Sequence, residues 1–291
     1  MNSWLLLESG PGAPAFNMAL DEALLEAASR LGGPVLRFYG WTEPAATFGY
    51  FQRYVDVERA TLLRPLIRRP TGGGIVPHDA DWTYSLAFPP GHDWHRLKAE
   101  ESYRRVHEWI QGAFAMLNMV TELASACKKS ITASGSSRRK EAPFSNAECG
   151  LPSVASGRRM GVRNAESSQS LLTSTLRSTA TEDGSAATGQ CFIGHEKSDV
   201  LWHGQKIAGA AQRRNKLGLL IQGSIQPSHF QKSEVRSQKS ERAAWQDAMR
   251  DVGRAVLGAD CQEFGPDDVL RERVEFLTRQ KYSQAAYNHK R

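Results

Sequence analysis

Apolar and polar residues change their spacing several times along the chain, and each change marks an element. SWLLLE, residues 3–8, is a short apolar run of strand type. After a Gly/Pro turn, FNMALDEALLEAASR places Met18, Leu20, Ala23, Leu24 and Ala27 at helical spacing and stops at Gly32-Gly33. Asp21 and Glu22 are expected on the exposed face of that helix. PVLRFYGW and AATFGYF are rich in aromatic residues and predict two short strands. VDVERATL predicts a short helix, LIRRP a strand and, beyond a run of three glycines, DWTYSLAFP a further strand. From Trp94 to about Asn118, the spacing of Leu97, Tyr103, Val106, Trp109, Ile110, Phe114 and Leu117 predicts one helix.

The pattern then stops. Residues 128–190 hold 13 Ser and 6 Thr in 63 positions with few large apolar side chains. Such a stretch buries too little surface to offset its ordering entropy, so a disordered insertion is expected. Patterning resumes with DVLWH, a turn at His203-Gly204, QKIAGAAQRR and LGLLIQGSI, which together predict three antiparallel strands. SERAAWQDAMRDVGRAVLG and PDDVLRERVEFLTRQKYSQAAY predict two C-terminal helices, the second opening on a Pro-Asp-Asp start signal. Strands and helices mix without regular βαβ alternation, so the expected class is α+β, a mixed, largely antiparallel sheet flanked by helices. The expected organisation is one domain over 1–291. Its core spans about 30–240, interrupted by the 128–190 insertion, with C-terminal helices over 240–288.

Bulk composition narrows the function. The hydrophobic fraction of 40% fits a chain part of which never enters a core. No apolar run reaches the ~18 residues of a membrane helix, and MNSWLLLESG lacks the basic start of a secretory signal. A cytoplasmic location with no membrane partner is expected. The net charge of +6 is concentrated in the insertion, which has one aromatic residue, Phe144. Nucleic-acid binding uses a basic face interleaved with aromatics, so that role is not expected. A mildly basic body suits an acidic protein partner. Cys127, Cys149, Cys191 and Cys261 form no CxxC or Cys/His pair, which argues against zinc and against a disulfide framework. No metal site is expected, and Asp79 and Asp81 are assigned to a turn or strand start.

Two constellations carry the candidate chemistry. In RRPTGGGIVPHDADWTYSLAF, three glycines between strands let backbone N–H groups approach an anion or carbonyl closely. Arg68 and Arg69 stand at its mouth, where they can pair with a phosphate or carboxylate; the plain alternative is a tight turn with surface arginines. In GQKIAGAAQRR, Lys206 lies on a strand with Gly209, Ala210 and Ala211, small residues that leave a groove for a ligand. The plain alternative there is a solvated edge lysine.

FNMALDEALL, WTEPAATFGYFQ, RRPTGGGIVPHD and GQKIAGAAQRR followed by LLIQGSI resemble, in this order, the lipoate–protein ligase / octanoyltransferase family, of which biotin–protein ligases are more distant relatives. The resemblance covers about residues 14–89 and 189–226, and its specificity lies in the combination. It implies a mixed sheet flanked by helices, with an acyl chain held between the glycine loop and the lysine strand. By the same resemblance Arg69, Thr71, Gly72, Gly73, Gly74, Ile75, Val76, Pro77 and His78 form an acyl or acyl-adenylate binding loop. Lys206 falls on the lysine that contacts the activated carbonyl.

Two chemistries share that scaffold. A ligase activates lipoate with ATP and Mg²⁺ and passes the adenylate to a carrier lysine. A transferase takes an octanoyl group from acyl-carrier protein, holds it on its own cysteine, then delivers it to a lipoyl carrier domain, such as the glycine-cleavage H protein or a 2-oxoacid dehydrogenase acyltransferase subunit, without a cofactor. Cys191-Phe192 precede Lys206 by fifteen residues, a spacing similar to that of the cysteine-dependent octanoyltransferases. A nearby ammonium favours the attacking thiolate. The plain alternative for Cys191 is a half-buried thiol, and His195 is either a base or a loop histidine. The triple glycine with VPHD is similar to ligases as well, and Ser198-Asp199 stands where ligases carry Asn-Asp. The transferase is the expected function, the ligase is the alternative, and a catalytically inactive acyl- or carrier-binding scaffold is the second alternative.

Overall fold

Strand β1 (Asn2–Gly12) and strand β2 (Val35–Trp41) run parallel through helix α1 (Pro14–Leu31), and this unit seeds the larger of two sheets. The computed structural model describes residues 2–124, 196–227 and 238–290. The serine-rich insertion expected over 128–190 and the segment holding Cys191 and His195 lie outside them. Helix α1 starts with Pro14, whose missing N–H costs nothing in a first turn, and stops at Gly32, which takes φ +77°.

The chain continues through β3 (Ala45–Phe48), α2 (Tyr54–Ala60), β4 (Leu66–Arg68), β5 (Val76–His78) and β6 (Trp82–Phe88). It then passes through α3 (Asp93–Arg96), α4 (Ala99–Met116) and β7 (Glu122–Leu123). Beyond the insertion come β8 (Val200–Trp202), β9 (Gln205–Asn215), β10 (Gly218–Ile225), α5 (Gln238–Leu257), β11 (Ala259–Glu263), α6 (Asp268–Leu277), a π-turn (Thr278–Tyr282) and α7 (Ala285–Asn288).

The large sheet has the order β11-β1-β2-β6-β10-β9-β8-β7. Only the β11–β1 and β1–β2 pairs are parallel, so the sheet is largely antiparallel and the α+β class holds. A smaller sheet, β4-β3-β5, carries the glycine loop between β4 and β5. One face of the large sheet packs Trp4, Phe38, Tyr84 and Phe88 against Trp109 and Trp245 of α4 and α5. The other packs Leu7, Val35 and Ala87 against Met18, Leu20 and Leu24 of α1 and Val274 and Leu277 of α6. Core packing thus reaches from Trp4 to Tyr282, beyond the 30–240 stretch.

Three differences from the sequence pattern have physical causes. Asp21 and Glu22 are not on an exposed face: Asp21 is fully buried because it faces the large sheet, where Arg37, Tyr39, Ser85 and Gln222 hydrogen-bond it, and Glu22 is 6% exposed because Lys281 and Tyr282 of the π-turn and Arg213 of β9 cover it. The helix expected over 94–118 is two helices, since Leu97 and Lys98 are extended (ψ 151° and 155°) between α3 and α4. The last expected helix widens after α6, where the Thr278 hydroxyl donates to the Val274 carbonyl (2.7 Å) and the chain enters the π-turn. The strands Val76–His78, Glu122–Leu123 and Ala259–Glu263 are additional to those expected.

Candidate active site

The glycine loop and the lysine strand come together across a narrow cavity. Its walls include Met18 of α1, Thr47 of β3, Arg69, His78, Gly209 to Ala211 of β9 and Gln222 of β10. The open space is about 30 Å³, that of a single water.

Close backbone approach explains the glycines. A Cβ on Gly49 would lie 1.9 Å from the Gly73 carbonyl oxygen, so the glycine loop rests directly on the end of β3. Gly73 takes φ +85°, where a side chain is strained. Gly72 has open space around its Cβ position. Ile75 and Val76 are buried, while Gly74 and Pro77 are half-buried.

Arg68 and Arg69 are both buried, which overturns the surface-arginine alternative. Arg68 donates to the carbonyls of Tyr50 (2.8 Å), Gln52 (2.7 Å) and Asn288 (2.9 Å), tying the C-terminus to β4. Arg69 folds over its own loop, donating to the Gly72 carbonyl (2.5 Å) and through Nε to Thr71 Oγ1 (3.1 Å). Two hydrogen-bonded paths leave it. Arg69 reaches Thr47 Oγ1 (3.4 Å), which meets His78 Nε2 at 2.8 Å, and His78 Nδ1 lies 2.9 Å from Asp81 Oδ2. A carboxylate only accepts, so in the neutral ring Nδ1 carries the proton and Nε2 accepts from Thr47. His78 also stacks on Trp41, with ring centroids 3.8 Å apart. The second path runs from Thr71 to Gln222 (2.7 Å) and on to Asp21 (2.7 Å).

Asp21 and Asp81 anchor these paths. Asp21 Oδ1 accepts from Arg37 (2.6 Å) and Ser85 (2.7 Å), and Oδ2 from Tyr39 (2.9 Å) and Gln222. Burial, then the Asp21 charge, pushes the Tyr39 phenol well above its ordinary value, so it stays a donor. Asp81 accepts from Thr83 (2.9 Å) and Ser224 (2.7 Å), which fixes it as the partner of His78. Among the described residues no group of three His, Cys, Asp or Glu side chains is placed to hold a metal ion.

Lys206 is 7% exposed and its Nζ lies 2.7 Å from Oδ2 of Asp199, itself 4% exposed, so it is not a solvated edge charge. Gly209 makes this possible, because a Cβ there would come 2.7 Å from Lys206 Cε. The lysine therefore lies across a strand residue whose backbone walls the cavity. Isolated buried ion pairs contribute little to stability, and an ammonium held at the wall of a cavity is suited to polarising a carbonyl. His107, on α4, is buried nearby. Burial lowers its pKa to about 4, which keeps the ring neutral beside Asp199 and Lys206.

The structure thus brings Arg69, Thr71, Gly72 to Ile75, Val76, His78, Lys206 and Gly209 to Ala211 to one place; Cys191 and His195 lie outside the described residues. Gln222, Thr47 and Asp81 were absent from the sequence-derived set. Gln222 carried a signal, being an amide inside the apolar run LLIQGSI, at a position whose neighbours in β10 are fully buried.

Residues 13–135 match the model of the lipoyl protein ligase A/B catalytic domain. The chain is 43% identical over 115 residues to octanoyltransferase LipM of Kyrpidia tusciae, which is 38% of this chain and 42% of that protein. It is 30% identical over 227 residues to octanoyltransferase LipM of Bacillus cereus, 76% of this chain and 64% of the relative. The first of these alignments spans less than half the relative's length. Two solved structures share the fold at 17% identity: lipoate-protein ligase A bound with ATP (TM-score 0.63, 99% of this chain and 98% of that one) and protein Ta0514 of T. acidophilum with bound lipoic acid (TM-score 0.62, 100% and 99%). Among the described residues, no helix is long and apolar enough to cross a membrane.

Proposed function

We propose that the chain, whose residues 13–135 match the lipoyl protein ligase A/B catalytic domain, transfers an octanoyl or lipoyl group from an acyl-carrier protein thioester to a lysine of a lipoyl carrier domain. The observation that carries the reading is the buried ammonium of Lys206, held by Asp199 at the edge of the cavity under the glycine loop.

In the first step the Cys191 thiolate attacks the donor carbonyl and the carrier's thiolate leaves. In the second, the acceptor lysine's amine attacks the enzyme thioester; the Cys191 thiolate leaves and the amine gives up a proton. Lys206 stabilises the oxyanion of each addition, and the covalent intermediate splits one hard step into two. Thioester exchange is nearly thermoneutral and amide formation is downhill, so neither ATP nor a metal is needed. The cavity walls hold the chain, with Arg69 and His78 at its polar side. Acceptors of this class include the glycine-cleavage H protein and the acyltransferase subunits of 2-oxoacid dehydrogenases. The similarity to the octanoyltransferases LipM of Kyrpidia tusciae and Bacillus cereus supports this reading.

The second reading is an ATP-dependent lipoate–protein ligase. Asp199, which stands where ligases carry Asn-Asp, favours it, as does the fold shared with a ligase solved with ATP. Incubating the chain with octanoyl-carrier protein and a lipoyl domain, without ATP, separates the two. The transferase yields octanoylated domain, and Lys206→Ala or Cys191→Ser abolishes it. Product that appears only with ATP and the free acid, and is indifferent to Cys191→Ser, assigns the ligase instead.

A further inference from the structure

Gln222 lies between the glycine loop and the buried Asp21, and its orientation is dictated rather than chosen. All four acceptor positions of the Asp21 carboxylate are taken, by Arg37, Ser85, Tyr39 and Gln222. A carboxylate cannot donate, so the Gln222 amide must turn its NH₂ toward Asp21 and its carbonyl toward the loop. The carbonyl then takes the Thr71 hydroxyl proton (2.7 Å), leaving the Thr71 oxygen to accept from Arg69 Nε. A single proton order therefore runs from Arg69 through Thr71 and Gln222 to Asp21. It spans from the loop to the interior of the sheet, and every member is at least nine-tenths buried.

We propose that Gln222 is a positioning residue that sets the height of the glycine loop over the acyl cavity by fixing the donor–acceptor order of this relay. The effect on catalysis rests on the acyl-transfer reading; the effect on the loop does not. Gln222 touches Thr71 and Asp21 and lines the cavity, while Lys206, the residue assigned above to the oxyanion, is on the neighbouring strand. Leucine at 222 fills the space without ordering the relay. Glutamate behaves differently: ionised, it faces the Asp21 carboxylate at hydrogen-bond distance, and two such charges cannot both persist. Neutral glutamic acid, by contrast, donates to Asp21 and accepts from Thr71 as the amide does. The other charged or titratable groups around this point are Arg37 and Tyr39 of β2, Arg69 of the loop, and His78 and Asp81 beyond Thr47. All are shared with the wild type, so the variant-to-wild-type ratio cancels their titration.

The test measures kcat/KM for octanoyl transfer and amide hydrogen exchange over residues 72–75 in Gln222→Glu, Gln222→Leu and the wild type. At about pH 8 both variants should transfer roughly 10- to 100-fold more slowly, the range expected for displacement of a substrate-positioning element. On lowering the pH to about 5.5, the Gln222→Glu ratio should recover by about tenfold as the added carboxyl is protonated, and its loop exchange should slow in parallel. The Gln222→Leu ratio should stay flat. Thr71→Val should reproduce the Gln222→Leu loss, and the double variant should be no worse than either single one, as for members of one network. A pH-independent Gln222→Glu ratio, wild-type transfer in Gln222→Leu, or additive losses would each overturn the proposal. If the wild type transfers no acyl group, the acyl-transfer reading fails; the exchange data still decide the relay, and equal exchange in all three proteins would end it. Circular dichroism of Gln222→Glu at the lower pH checks that the variant folds.

Discussion

Gly209→Ala should slow acyl transfer far more than it weakens the fold. An added methyl would lie 2.7 Å from Lys206 Cε, 3.0 Å from Nζ and 3.4 Å from Asp199 Oδ1. Favourable carbon contacts sit at about 3.5–4.0 Å, so roughly 1 Å of clearance has to be found. The clashing atoms are the far end of a four-carbon chain, so the lysine moves and the β9–β10 ladder stays. Inserting a methylene into a packed site costs about 1–3 kcal/mol, and a yielding neighbour places this case near the lower end. A displacement of about 1 Å at a group that meets the reacting carbonyl lowers the rate about 10²-fold, equivalent to about 2.7 kcal/mol of transition-state stabilisation. Urea unfolding gives the first quantity, and single-turnover octanoyl transfer to a lipoyl domain gives the second. Wild-type transfer in a folded Gly209→Ala protein would refute the reasoning, because Lys206 would then work without the position that Gly209 permits.

The pair itself gives a second prediction: Asp199→Asn keeps the shape but removes the charge opposite Lys206. Transfer should fall about tenfold or more while the urea midpoint changes less than in Asp199→Leu, which strands a buried ammonium. Stability should also depend on pH through His107. Its folded pKa, about 4, lies below the free value, so the folded protein binds fewer protons. Its contribution is intact above about pH 6.5 and is lost as the pH falls toward about 4, by about 3 kcal/mol. His107→Leu should flatten the unfolding free energy across that window relative to wild type. Asp21→Asn deprives the buried Arg37 of its counter-charge and should cost about 3–5 kcal/mol in urea unfolding.

Most strands and helices were legible because their spacing matches their burial: β6, WTYSLAF, is buried at every position and carries large apolar residues with no charge. Asp21 was misplaced because a carboxylate that faces the sheet and is satisfied there by Arg37, Tyr39, Ser85 and Gln222 leaves no mark in local spacing; Glu22 was misplaced because periodicity reports which side of a helix is apolar, not how many layers cover it. α1 is covered on two sides, so Glu22 is buried against Lys281, Tyr282 and Arg213, residues far away in sequence. Lys206 was legible as a candidate through the small residues that follow it and through the family resemblance; its burial depends on Asp199 and on the missing Cβ of Gly209. Thr71 was visible in its motif, but its partner Gln222 is 151 residues away, a pairing that no local spacing encodes. Arg68 looked like a mouth residue because charge beside glycines suggests an anion. In the fold, the carbonyls of residues 50, 52 and 288 satisfy it instead.

The central claim is that this scaffold moves an acyl group through a thioester on its own chain. Intact-mass analysis of the protein mixed with octanoyl-carrier protein, without ATP or acceptor, tests it most directly. The account predicts a gain of one octanoyl group, removed by hydroxylamine, mapped to Cys191 and discharged on adding a lipoyl domain. An unmodified chain that nevertheless octanoylates the domain, or an adduct that survives Cys191→Ser, would contradict it.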